Sequence, residues 1–286
     1  AAPLLPPRPP PGCAIPPTRP PLDYLTCTRN RPRYHRREVL DAIVADMKAQ
    51  APDHIAVTGD LVNLALEAEF APSRAWLESV GEAEHVHVIP GNHEAYVRAT
   101  KHRAAEAWGD FLRGDEAGDN GAFPFLRRRG PLALIGVSSA VPTAPLMATG
   151  RLGKAQLVAL DAILARLATE DAFRVLLVHH PLHSTSRVKR LTDSRALRAL
   201  IRQHGVDLVL HGHDHIHSTM WLEGPRREIP AIGVPSASSI GYGHYPAAAF
   251  NLFSIAREDG AWHCEQTTRA IDRDMRIKQI RHVQLI

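Results

Sequence analysis

Four short apolar runs in this chain each end on a residue type that binds metals or moves protons, and that placement constrains the fold more than any single motif. His54-Ile-Ala-Val-Thr58 leads into Gly59-Asp60, and His85–Pro90 leads into Gly91-Asn92-His93-Glu94. Residues 174–178 lead into His179-His180-Pro181, and residues 206–210 into His211-Gly212-His213-Asp214-His215. Apolar runs of this length, bounded by Gly and Pro, read as buried strands. In open α/β sheets ligands bind beyond the carboxyl ends of the strands, so polar side chains placed there can converge on one point. Glycines at 59, 91 and 212 permit tight turns and close backbone approach.

Helical patterns separate these runs. Val39, Leu40, Ile43 and Met47 recur at helical spacing over 37–50, and Pro52 stops that helix. Further helices are expected over 66–80, 101–113, 153–168 and 194–204, with a strand at 132–138. The last sixty or so residues read as β-rich, at 229–234, 249–255, 261–268 and 275–284. There is no internal repeat. Alternating helices and strands followed by a β-rich tail predict one α/β domain with packed sheets. The chain has 286 residues, 44% of them hydrophobic, which suffices for such a core and excludes a disordered chain. Three widely spaced cysteines (Cys13, Cys27, Cys264) argue for reduced thiols in a cytoplasmic protein. The uncharged stretches 130–150 and 229–256 are broken by Pro, Gly, Ser and Thr, so no membrane span is expected. No secretory signal is visible either.

The net charge of +4 is unevenly distributed. Residues 1–37 hold seven arginines and one acid, Asp23, a balance of +6, so the rest of the chain sums to −2. Ten prolines crowd residues 1–22, which cannot form a helix or a central strand and are expected to be extended or disordered. The expected division is a Pro/Arg-rich leader over 1–28 and a globular domain over 29–286. The leader's arginines could contact nucleic-acid phosphates. It lacks the interleaved aromatics of a single-strand binder, however, so a solvated or artefactual tail is the preferred reading and no clear nucleic-acid partner is expected.

Taken in order, Gly59-Asp60-Leu-Val-Asn63, Gly91-Asn92-His93-Glu94, His179-His180-Pro181 and Gly212-His213-Asp214-His215 resemble the motifs of the calcineurin-like metallophosphoesterases. The resemblance spans roughly residues 37–270. It implies two packed β-sheets flanked by helices, an α-β-β-α sandwich with the site at the sheets' edge. It also implies two divalent ions (Mn, Fe or Zn) and hydrolysis of a phosphate-ester substrate by metal-bound hydroxide. By the same resemblance Asp60 bridges the ions, and Asn92, His179 and His213 complete the second ion's ligands. His215 belongs to the first ion, and His93 is the catalytic histidine facing the leaving group.

One motif is missing. The family's Asp-x-His on a first strand should precede residue 37, yet the only acid there is Asp23, followed two residues later by Leu25. No apolar run for that strand stands out in the leader. The first ion is left with Asp60 and His215, so one tightly bound ion and strongly reduced hydrolysis are expected. Two explanations compete: a degenerate, non-catalytic relative that binds metal or a phosphorylated ligand, or a leader that is not the natural N-terminus. Pro, Arg, Ala and Gly are what a GC-rich gene yields out of frame, which favours the second. Other polar residues have plainer readings. His179 and His180 point to opposite sides of a strand, so only His179 is expected as a ligand. His211 and His217 fit a solvated strand face, Asn63 fits either a ligand-orienting or a helix-entry role, and His244 lies in a loop.

Overall fold

The computed structural model describes residues 31–96, 103–115, 123–144 and 146–286. The expected leader, and the first two residues of the helix expected over 101–113, lie outside these. A short helix that the sequence did not suggest comes first, α1 (Arg31–Tyr34), and the others fall close to the sequence reading: α2 (Arg37–Ala49), α3 (Glu67–Val80), α4 (Arg103–Trp108), α5 (Lys154–Leu167) and α6 (Ser194–His204). The apolar runs become β1 (Ile55–Val57), β2 (Val86–Val88), β4 (Leu132–Gly136), β5 (Phe173–Leu177) and β6 (Leu208–His211). The β-rich end supplies β8 (Ile229–Gly233), β11 (Ala249–Glu258), β12 (Ala261–Ile271) and β13 (Ile277–Gln284).

Four strands were not anticipated: β3 (Phe125–Arg129), β7 (Ser218–Leu222), β9 (Ile240–Tyr242) and β10 (Tyr245–Ala247). The helix expected to run to 113 ends at Trp108 and tightens into a 3-10 turn over Gly109–Leu112. Gly109 there has a positive φ of 49°, which a continuing α-helix does not accommodate.

The strands form two layers. One is a six-stranded sheet of order β3-β4-β5-β6-β8-β7, with its central strands parallel and both outer pairs antiparallel. Side chains alternate across it. Ala133, Ile135, Leu176, Val209 and Ala231 face α5 and α6 through Leu160, Leu164, Leu197 and Ile201. Leu134, Val175, Leu177, Leu208 and Ile232 face the second layer. That layer consists of the parallel pair β1-β2 and the antiparallel sheet β11-β12-β13, with Phe253, Ile255, Cys264 and Trp262 packed against the first. Helices α2, α3 and α4 cover its outer side, through Leu40, Phe70, Trp76, Leu77 and Trp108 on β1-β2 and through Val39 and Ile43 on Phe250 and Ile271. The layer order is therefore α-β-β-α. No helix among the described residues is long and apolar enough to cross a membrane.

The strand β3 carries the sequence Phe-Leu-Arg-Arg-Arg, which has no strand-like alternation. Its Arg127 is buried and donates to the backbone carbonyls of Ala83, Val86, Asp110 and Arg113. The guanidinium thus closes one end of β2 against the 3-10 turn. Burial pulls its pKa down to about 10, so it stays charged at neutral pH. Replacing Arg127 with Ala strands four carbonyls and opens a void. We expect R127A to lose about 3–5 kcal/mol of stability, since several buried acceptors lose their donor and a cavity is left behind. Urea unfolding measures this, and a loss below about 1 kcal/mol would mean that water replaces the guanidinium freely.

Candidate metal centre

The loops that follow β1, β2, β5 and β6 meet at one end of the sheets. Thr58 leaves β1 and the chain turns through Gly59 and Asp60, both at positive φ (96° and 60°). Three backbone N–H groups in this turn, those of Asp60, Leu61 and Val62, donate to the buried Glu94 carboxylate at 2.7–3.0 Å. Gly91 N–H donates to the same carboxylate, so one side chain ties the β1 loop to the β2 loop. A Cβ on Gly91 would lie 2.2 Å from Asp60 Oδ1, and no larger residue fits there. A second buried carboxylate, Glu69, accepts from the N–H groups of Asn63, Leu64 and Leu66 and fixes the start of α3.

Four of the six expected site residues come together. His179 Nδ1 donates to the Thr58 carbonyl at 2.6 Å, which directs Nε2 inward. That Nε2 lies 3.1 Å from Asn92 Oδ1, 3.2 Å from Asp60 Oδ2 and 3.3 Å from His213 Nδ1. His213 Nδ1 is in turn 2.9 Å from Asn92 Oδ1. Asp60, His179 and His213 form the one group of three or more potential ligands found among the described residues. Two further site residues stand apart. His215 lines the same small cavity as Asp60, His179 and His213 without joining that group. His93 is held through Nδ1, which donates to the Asn63 carbonyl at 2.6 Å, and through its backbone N–H on Asp60 Oδ1.

The electrostatics follow from burial. Burial alone would raise the Asp60 carboxyl, but the imidazoles of His179 and His93 hold it well below the usual range. Glu94 moves the other way, pushed up to about 7 by burial and by the nearby Asp60. Burial opposes a charge on His179, yet Asp60 outweighs it and raises His179 above its ordinary value. His213 is pushed strongly down by burial and by His180 and His179, so it stays neutral.

These residues fit a divalent ion. Asp60 Oδ2 and Asn92 Oδ1 are both acceptors and meet at His179 Nε2, so a proton or a cation must sit at the junction. His213 Nε2 is buried with no hydrogen-bond partner among the described residues. Ligands about 2.1 Å from a common ion lie about 3.0–3.4 Å from one another, which is the spacing seen between these donors. The mixed N/O set suits Mn, Fe or Zn.

A profile of the calcineurin-like phosphoesterases matches residues 31–217. The chain belongs to the calcineurin-like phosphoesterase family. Its fold resembles a dimetal phosphatase from Danio rerio (13% identity, 88% of this chain and 90% of that one, TM-score 0.60). It also resembles the purple acid phosphatase PPD1 of yellow lupin (13%, 86% and 49%, 0.58) and Plasmodium GAP50, described as the anchor in the inner membrane complex (14%, 87% and 83%, 0.50). At such identities the likeness is one of fold. No curated protein sequence matches the chain.

Two further histidines beside the site, His180 and His211, have partners of their own. His180 accepts from Ser139 Oγ at 2.7 Å and donates to the Ala148 carbonyl, so both ring nitrogens are engaged while the ring packs 4.3 Å from that of His213. His211 is buried against Gly212 and Ser218, not on the solvated face expected from its alternation with His213. Asn63 does orient a functional candidate, but through its backbone carbonyl. Glu94, which closes the Gly-Asn-His-Glu motif, is a functional residue not expected from the sequence. Its signal was an acid beside two candidate ligands at the end of an apolar run.

The raised pKa of His179 sets a pH dependence for ion binding. Below that pKa the Nε2 proton competes with the ion, and above it the site is open. We expect apparent Mn²⁺ affinity to rise about tenfold per pH unit through the histidine range and then level off. Titrations between pH 5.5 and 8 test this, and an affinity independent of pH would remove His179 from the ligand set.

Proposed function

We propose that the chain is a metal-dependent phosphoesterase of the phosphodiesterase type. In this reading Asp60, Asn92, His179 and His213 hold one divalent ion, His215 faces the neighbouring position, and His93 is the catalytic histidine. The observation that supports it most directly is the meeting of Asp60 Oδ2, Asn92 Oδ1 and His213 Nδ1 within 3.3 Å of His179 Nε2, in a buried pocket at the ends of β1, β2, β5 and β6. When bound there, a divalent ion supplies a Lewis acid for phosphoryl oxygens and acidifies water.

The protein's own groups do the rest. His93 Nδ1 is committed to the Asn63 carbonyl, which fixes the ring and assigns proton transfer to Nε2. From there it delivers a proton to the departing oxygen of the ester. Its backbone N–H on Asp60 Oδ1 keeps the ring in register with the ion site. Thr58 holds the His179 tautomer, and Glu94 holds the two loops that carry Asp60 and Asn92.

A second reading is a protein that binds a metal or a phosphorylated ligand without turnover. It is favoured by one fact: among the described residues a single ligand group is assembled, with His215 outside it.

Two measurements separate these readings. Purified protein equilibrated with excess Mn²⁺ and cleared of loose ion is expected to retain one ion per chain. Two ions would mean that further residues complete a second position. In a phosphodiester assay, His93→Ala is expected to lower kcat about 10²–10⁴-fold with ion content unchanged. Residual hydrolysis equal to wild type would leave His93 without a catalytic role.

A further inference from the structure

Two stretches of the domain stand out by charge. Residues 146–158 and 183–198 hold seven Lys or Arg against one acid, Asp193. That is a balance of +6 within residues 38–286, which sum to −2, so the remainder of the domain carries −8. The stretches are distant in sequence but form one surface. Ala148 N–H donates to the Val188 carbonyl at 2.8 Å, Gly150 N–H to the Arg190 carbonyl at 3.0 Å and Thr192 N–H to the Gly150 carbonyl at 2.9 Å. These bonds make a short parallel ladder between the loop before α5 and the loop before α6. The Asp193 carboxylate accepts from the N–H groups of Leu152 and Gly153, which joins the starts of the two helices and commits the one acid to backbone. Arg151, Lys154, Arg187, Lys189, Arg190 and Arg195 are exposed around the ladder, and none forms an ion pair among the described residues.

Apolar side chains stand among these cations. Of the six large hydrophobic residues exposed among the described residues, three belong here: Leu146 (84%), Val158 (61%) and Val188 (42%). Leu146 and Val188 lie on the two paired loops, and Val158 lies one turn along α5 from Lys154. Leu146 also adopts a positive φ of 65°, a backbone state that a bulky residue takes only at a cost. A lone exposed aliphatic group is ordinary. Aliphatic groups set among unpaired cations match a lipid surface, where acyl chains receive the one and anionic headgroups the other. The Phe, Tyr and Trp side chains on which a nucleic-acid strand would stack are absent from both stretches.

We propose that this surface docks the protein on an anionic lipid bilayer, with Leu146 and Val188 entering the headgroup layer and the surrounding Arg and Lys side chains meeting the lipid anions. The surface adjoins the candidate metal centre. His180, next to His179, donates from Nε2 to the Ala148 carbonyl and packs its ring 4.3 Å from that of His213. Docking therefore brings that centre close to the membrane. The inference concerns binding alone and does not rest on the catalytic reading.

Co-sedimentation of the full chain with vesicles tests it. Phosphatidylcholine vesicles with about one third phosphatidylserine are expected to bind the protein at about 0.1 M salt, and pure phosphatidylcholine vesicles are not. Arg187→Gln/Lys189→Gln/Arg190→Gln is expected to weaken binding about 100-fold, and Leu146→Ser/Val188→Ser about tenfold. All five positions are exposed, so the fold is retained. Absence of binding to the anionic vesicles, or equal binding to both kinds, overturns the proposal. Unchanged binding by the triple variant overturns it too, because the arginines of residues 1–37 then carry the contact. Unchanged binding by Leu146→Ser/Val188→Ser overturns it as well, and displacement from the vesicles by a DNA duplex then identifies a nucleic-acid surface.

Discussion

The buried carboxylate of Glu94 is the interaction on which the rest of the site depends. It accepts four backbone N–H groups, from Asp60, Leu61, Val62 and Gly91. Removing a carboxylate from water costs several kcal/mol, and only a full set of donors offsets that cost. The donors come from two loops that follow different strands, so the geometry that satisfies Glu94 also sets the distance between Asp60 and Asn92. Glycine at 91 is then required, because the Asp60 carboxylate occupies the space a Cβ would need.

The same logic extends to the histidines. Asp60, His213 and His215 all adopt positive φ, with values of 60°, 68° and 56°. Backbone of this kind is costly for residues with a Cβ and persists only where surrounding contacts over-determine it. Here each strained residue sits immediately past a strand end, where the turn aims its side chain across the top of the sheet. The imidazole of His179 is oriented by the Thr58 carbonyl of a strand in the other layer. One hydrogen bond therefore fixes a tautomer and docks the two layers at the site.

Much of this was legible in the sequence, for identifiable reasons. The strands β1, β2, β5 and β6 are apolar runs bounded by Gly and Pro, and the amphipathic helices α2, α5 and α6 have clear periodicity. Missed strands carry no such signal. In β3 arginine sits inside the layer because backbone carbonyls surround it. In β7 all but Leu222 are partly exposed, and β9 and β10 have three residues each. Asp60, Asn92, His179 and His213 could be paired in advance because their side chains carry the chemistry. The partners that orient them could not, because the Thr58 and Asn63 carbonyls are backbone atoms common to every residue type. His211 misled for the opposite reason, since alternation with His213 and His215 suggested a face that the bend at Gly212 destroys.

The four site residues that come together and His215 are held by different parts of the fold. Asp60, Asn92, His179 and His213 are carried by β1, β2, β5 and β6, and each loop is anchored by hydrogen bonds within that set. His215 lies on the other side of the cavity, where its neighbours are His35 and Tyr245. His35 is engaged there with Ser238 and Ser236. That side is framed by Val234, Pro235 and Ser236. The four side chains that come together are therefore held by loops that Glu94 and Thr58 tie to one another, while His215 packs among aromatic neighbours outside that set.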